Sequence, residues 1–265
     1  MFIQRERYCI IQIPEQFNGP PASAHGGYLC GRLAALLPTS EVAVTLLLPP
    51  PLGVELDTRR TGDRISLWHQ DRLLATAVAG GSRQPPEAQT ESLGWAAADQ
   101  PTRSFAGFTR HPFPTCFVCG TNRPDGMRLF PVAVPDRPGT VAAAWTPAPE
   151  LSDGSGLVRP EFVWAALDCP GGWSAMSAEQ PETLVLARMA LRLTGQPRCG
   201  ERHVVLGRLD RRAGRTAWVR TALFDSGGTS LATGVAQWLS VDPASFDPAD
   251  VAPASSDPAN VEAAG

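Results

Sequence analysis

The sequence predicts an α+β protein in which one arrangement is used twice: a short apolar helix followed by antiparallel strands. Three observations carry that reading. The segments FNGPPASAHGGYLCGRLAALL (17–37) and RPEFVWAALDCPGGWSAM (159–176) are both apolar helical runs entered through turn-forming residues. Each is followed by apolar, alternating segments punctuated by Gly and Asp. Between the halves lies a polar stretch rich in Ala, Pro, Gln and Ser.

The elements follow in order. Residues 10–13 form a short β-like run that stops at Pro14, and 18–21 are turn-rich. The first helix spans roughly 26–37 and ends near Pro38. Residues 42–48 are apolar throughout, as expected of a strand covered on both faces. Strands at 54–59, 64–69 and 73–78 follow, with Gly62-Asp63 and Gln70-Asp71 as turns. In the second half, 127–134 and 140–145 form a strand pair. The second helix covers roughly 160–167, with Pro160 in its first turn and the helix-breaking Pro170-Gly171-Gly172 beyond it. Four more strands lie at 183–193, 202–209, 215–224 and 230–241. The division is 1–82, a linker 83–110, 111–242, and a loose tail 243–265 too poor in large apolar residues to order itself.

Bulk composition bounds the function. The 265 residues are 43% hydrophobic and 18% charged, as suits a packed globular protein. A net charge of -3 gives no electrostatic case for nucleic acid or an anionic membrane. Apolar runs such as VAVTLLLPPPLGV are short and broken by Pro, so no membrane span is expected. MFIQRERYCIIQI lacks the pattern of a signal peptide, which makes a cytoplasmic location the expectation. All 23 basic residues are Arg, which removes lysine Schiff-base and general-base chemistry. Six cysteines are too sparse for a disulfide scaffold, and reduced thiols are expected.

The order of motifs resembles that of tandem (double) hot-dog proteins of the acyl-CoA thioesterase superfamily. In the first half the resemblance rests on FNGPPASAHGGYLCGRLAALL, VAVTLLLPPPLGVELDTRR and DRISLWHQDRLLATAVAG. In the second it rests on CFVCGTNRPDGMRLF, AAAWTP, PEFVWAALDCPGGW and GTSLATGVAQWLSV. It implies two modules, each an antiparallel sheet wrapped around a central helix, paired edge to edge. It further implies hydrolysis of an acyl thioester of coenzyme A, or of an acyl carrier, at the seam between the modules. Coenzyme A is then part of the substrate and no separate cofactor is needed. It leaves room for a homo-oligomer. The same fold also supports an acyl-CoA or lipid binder without turnover, and an enoyl-thioester hydratase or dehydratase.

Asp168 is the leading catalytic candidate: a carboxylate ending the apolar run VWAALD, placed to deprotonate a water or attack a thioester. The alternative is an Asp facing solvent or tying up the turn that follows. His25, Gly26 and Gly27 suit a helix start whose N–H groups meet a developing oxyanion, with Gly27 first and Gly26 second. They suit a plain packing turn as well, and His25 suits a helix cap. Asn18 is a substrate-binding candidate or ordinary turn chemistry. The resemblance places Thr183 and Gln237 near the water-orienting Thr and Gln of related enzymes, with Gln237 one residue out of register. Trp164, one turn before Asp168, would line an acyl channel or dry the carboxylate's surroundings. Arg188, Arg192 and Arg202 suit phosphates. Cys116 and Cys119 form a CxxC that is either half a metal site, completed by His111 and Cys169, or two small residues in a tight turn.

Overall fold

The structure is a computed structural model that describes residues 7–80, 92–99, 102–176 and 182–242. The expected tail 243–265 and most of the first part of the expected linker lie outside the described residues. The first half supplies β1 (Arg7–Gln12), α1 (Gly26–Ala34), β2 (Glu41–Leu46), β3 (Glu55–Thr61), β4 (Arg64–His69) and β5 (Arg72–Ala79). A single turn, α2 (Trp95–Ala98), follows. The second half supplies β6 (Val132–Ala133), β7 (Thr140–Trp145), α3 (Pro160–Ala175), β8 (Thr183–Leu193), β9 (His203–Ala213), β10 (Thr216–Asp225) and β11 (Ser230–Val241).

All these strands join one antiparallel sheet in the order β1-β3-β4-β5-β2-β8-β11-β10-β9-β7-β6. First-half strands occupy one side and second-half strands the other. Among the described residues the halves pair only through β2 and β8, from Glu41 opposite Arg192 to Thr45 opposite Arg188. Interior position suits β2, whose Val42, Ala43 and Val44 are all buried. The β3–β4 and β9–β10 hairpins turn at Gly62 and Gly214, both in the left-handed region that glycine enters without strain.

The two helices cross backbone against backbone. A Cβ on Gly27 would lie 2.6 Å from both Asp168 Cβ and the Trp164 carbonyl. One on Gly31 would lie 2.5 Å from Glu161 Cα. Gly27 and Gly31 are one turn apart, so they form a flat stripe on α1. Against it lies the α3 ridge of Glu161, Trp164, Ala165 and Asp168.

Three local expectations need correction. The second helix does not stop before Pro170-Gly171-Gly172 but continues to Ala175. Every residue from Phe162 to Ala175 is buried, so packing overrides the local cost of a proline that offers no N–H. Gly171 and Gly172 earn their place by size, since a Cβ on Gly172 would lie 2.8 Å from the Trp238 ring. Asp168 therefore projects from mid-helix rather than from a helix end. The strand expected over 127–134 shrinks to Val132–Ala133. Its earlier residues bond back onto the preceding loop, Met127 N–H to the Phe117 carbonyl and Leu129 N–H to the Val118 carbonyl. Within the stretch read as linker, Phe105 is buried and packs edge-on to Trp173 at 4.6 Å.

Candidate functional site

A cleft of about 350 Å3 opens beside the helix crossing. Its walls come from the first turn of α1, the middle of α3, the segment after β2, the loop before β6, and strands β8 and β11. The lining is mostly apolar, with Leu46, Leu47, Pro50, Leu186, Trp173 and Trp238 prominent. His25, Asp168, Cys116, Cys119 and Cys169 supply nearly all its chemistry.

Asp168 is buried at this wall. Its Oδ2 accepts the Gly27 N–H at 2.7 Å and lies 3.5 Å from His25 Nδ1. Its Oδ1 is buried with no partner in the protein. Burial raises the carboxyl pKa to about 6, against the opposing pull of His25 and the Gly27 N–H. An acceptor that is desolvated, oriented through its other oxygen and still unpaired is suited to hold and deprotonate a water.

His25 caps α1. Its carbonyl accepts the Leu29 N–H, and ring Nδ1 accepts the Tyr28 N–H at 3.3 Å. Ring Nε2 lies 3.3 Å from Cys169 Sγ. Burial pushes the imidazole's pKa down, but the neighbouring Cys116 thiol and the Asp168 carboxylate outweigh it, leaving the ring above its ordinary value.

The structure brings three candidates together in the cleft lining, Asp168, Gly26 and His25, with Gly27 bonded to Asp168 behind them. It also redistributes their roles. The Gly27 N–H is taken by Asp168, so it is not open to a substrate oxyanion. Among the described residues, the Gly26 N–H has no acceptor in the protein, and Gly26 lines the cleft. The close approach that Gly27 permits is to α3 rather than to a ligand.

The substrate-binding candidates lie elsewhere. Asn18 does not line the cleft: its side chain bonds Gly19 and Thr115 and accepts from Arg123. Trp164 shares a helix face with Asp168 but packs on α1 and does not line the cleft. Thr183 is buried outside the cleft lining, paired with Val241 at the start of β8. Gln237 is also outside it, next to a register shift in β11, while its neighbour Trp238 faces in. Arg192 pairs with Glu41 at 2.8 Å, Arg202 lies over the Trp95 ring, and Arg188 donates to Thr45. Cys116 and Cys119 line the cleft beside Cys169. His111 cannot complete a metal set with them: it contacts the Cys119 carbonyl through Nε2 and accepts the Phe113 N–H through Nδ1.

The composition missed the apolar walls contributed by Leu46 to Pro50 and by Trp238. The only signal for Trp238 was its alternation with Gln237 along a strand. His25 meeting Cys169 across 144 positions left no local signal at all.

No model of a protein family and no curated protein matches this sequence. Solved structures do match. The TesB protein of Mycobacterium avium subsp. paratuberculosis aligns over 90% of this chain and 96% of its own, at 13% identity and a TM-score of 0.59. Acyl-CoA thioesterase II TesB2 of Mycobacterium marinum aligns over 90% and 94%, at 10% identity and 0.57. A protein of unknown function with a hot-dog fold, from Alicyclobacillus acidocaldarius, aligns over 92% and 96%, at 11% identity and 0.51.

This chain has a hot-dog fold. The cleft is lined by Leu46 at the end of β2 and by Leu184, Val185, Leu186 and Ala187 of β8. No described helix is long and apolar enough to cross a membrane.

Proposed function

We propose that the protein hydrolyses an acyl thioester, of coenzyme A or of an acyl carrier, in the cleft that Asp168 lines. The halves act as two hot-dog modules, 1–82 and 111–242, and the cleft is their seam. The single observation that carries this reading is the unpartnered Oδ1 of a buried carboxylate in a largely apolar cleft. In the mechanism, Oδ1 accepts a hydrogen bond from a water and takes its proton as the oxygen attacks the thioester carbonyl carbon. Oδ2 stays fixed by Gly27, so the base is oriented before substrate arrives. Negative charge then grows on the carbonyl oxygen, and the Gly26 N–H at the positive end of α1 is the available donor. Collapse expels the thiolate, which leaves as a thiol once protonated. The apolar walls hold the acyl chain.

A second reading is an acyl-thioester binder that releases nothing. Its support is that Thr183 and Gln237, the expected water-orienting pair, both lie off the cleft. A panel of saturated and enoyl-CoA thioesters, followed with a thiol-detecting reagent and by absorbance of the enoyl group, separates the readings. Thiol release that drops at least ~100-fold in Asp168→Asn, with binding retained, is the expected result. Undiminished release in that variant would refute the assignment, and binding without release would favour the second reading. Loss of enoyl absorbance without thiol release would move the assignment to hydration, for which the His25–Asp168 contact at 3.5 Å is the relevant pair.

A further inference from the structure

The loop between Pro112 and Phe130 is irregular yet almost wholly buried from Cys116 to Gly120. A buried loop must satisfy its own backbone, and this one does so by folding into a knuckle. Gly120 N–H donates to the Cys116 carbonyl and Asn122 N–H to the Pro114 carbonyl, both at 2.9 Å. Only glycine fits at the bend, because a Cβ on Gly120 would lie 2.4 Å from the Cys116 carbonyl oxygen. The result points the sulfurs of both Cys116 and Cys119 toward α3, onto Cys169 and Trp173 respectively.

There they meet two further donors. Cys116 Sγ lies 3.9 Å from Cys169 Sγ, and Cys169 Sγ lies 3.3 Å from His25 Nε2. The ligand atoms of His25, Cys116 and Cys169 are all within 4.8 Å of one another, and all three residues are buried. A zinc-class ion with S and N ligands at ~2.3 and ~2.0 Å has tetrahedral edges of about 3.8 Å between sulfurs and about 3.5 Å between sulfur and nitrogen. The measured separations bracket those edges. Cysteine often fills a core merely as a small apolar residue. Cys30 does so here, buried in α1, and it belongs to no such group among the described residues.

The surroundings fit as well. A ligating histidine needs a bare Nε2, which requires the proton on Nδ1 and an acceptor for it. Asp168 Oδ2, 3.5 Å from Nδ1, is placed to accept from that Nδ1–H, a bond that on metal binding would replace the one Nδ1 accepts from the Tyr28 N–H in this structure. Asp168 Oδ1 has no partner in the protein. The Trp173 indole N–H points at Cys119 Sγ at 3.4 Å, as a donor to a thiolate would.

We propose that His25, Cys116 and Cys169 bind a zinc-class divalent ion that ties the knuckle to both helices. Each thiol gives its proton to solvent as its sulfur binds, and the ion keeps its oxidation state. The site does not rest on the thioesterase reading, and its test reads metal rather than turnover.

The experiment uses the full chain, reduced, stripped of metal and titrated with cobalt(II) as the probe. Binding near one equivalent is expected, with thiolate-to-cobalt charge-transfer absorption and the intense visible bands of a tetrahedral ion. Zinc should displace it. Cys116→Ala and Cys169→Ala should weaken cobalt binding at least tenfold and weaken the charge-transfer band, whereas Cys9→Ala and Cys199→Ala should match the parent. Should the unsubstituted chain give only the faint spectrum of hydrated cobalt, the proposal fails without recourse to any variant. It fails equally if Cys116→Ala and Cys169→Ala fold and bind cobalt as the parent does.

Discussion

α1 is nine residues long and reaches the cleft with its first turn, whereas α3 is sixteen long and reaches it with its middle. That difference fixes what each can contribute. A helix start has N–H groups without intrahelical partners, so α1 offers backbone: Gly27 orients Asp168 and Gly26 remains open. The middle of a helix has its N–H groups taken by carbonyls one turn back, so α3 offers no backbone donor there and presents the side chains of Asp168 and Cys169. The close crossing lets one helix's backbone hold the other helix's carboxylate. Neither half has the arrangement alone.

The comparison can be broken hardest from the α3 side. Trp164 is fully buried against the glycine stripe of α1, and Trp164→Ala should cost about 3–5 kcal/mol through lost burial and a cavity. Chemical denaturation followed by fluorescence and circular dichroism checks it, and a cost under about 1 kcal/mol would mean the helices do not depend on this contact. From the α1 side the effect is smaller. Gly31→Ala places a methyl 2.5 Å from Glu161 Cα, a backbone atom that must move. Overpacking of this kind costs about 1–3 kcal/mol, and the ~1 kcal/mol alanine gains in helix propensity offsets only part of it. A lowered melting temperature is the expected outcome, and an unchanged or raised one would show that the helices separate freely.

How much of this could be read from the chain follows from the range of each interaction. Strands such as β4, β7, β8 and β11 declared themselves through alternation and turn residues, which are local. Asp168, His25 and Gly26 were identifiable as chemistry-bearing residues, but their meeting was not, because α1 and α3 are more than a hundred residues apart in sequence. Gly27 carried the right residue type and the wrong role: its missing side chain serves helix contact, and only the crossing reveals that. Asn18 was legible as either a substrate-binding or a turn residue and bonds within its turn, while Thr183, which followed from the resemblance, is buried off the cleft. The cysteines of the knuckle were legible as a spacing, while their partner His25 was legible only as a cap.

The smallest effect should sharpen the comparison at the point where local sequence and tertiary packing disagree. Pro170 sits inside α3, where it gives the Ala166 carbonyl no N–H and crowds the preceding turn. Pro170→Ala restores a donor, worth about 1 kcal/mol net, and relieves part of a helix-interior penalty of ~3 kcal/mol. Against that, it removes two buried ring methylenes, about 0.8 kcal/mol each. The balance favours alanine by about 1 kcal/mol, measured as a raised denaturation midpoint with the same slope. A clear loss of stability would instead mean that burial of the proline's ring outweighs the restored donor.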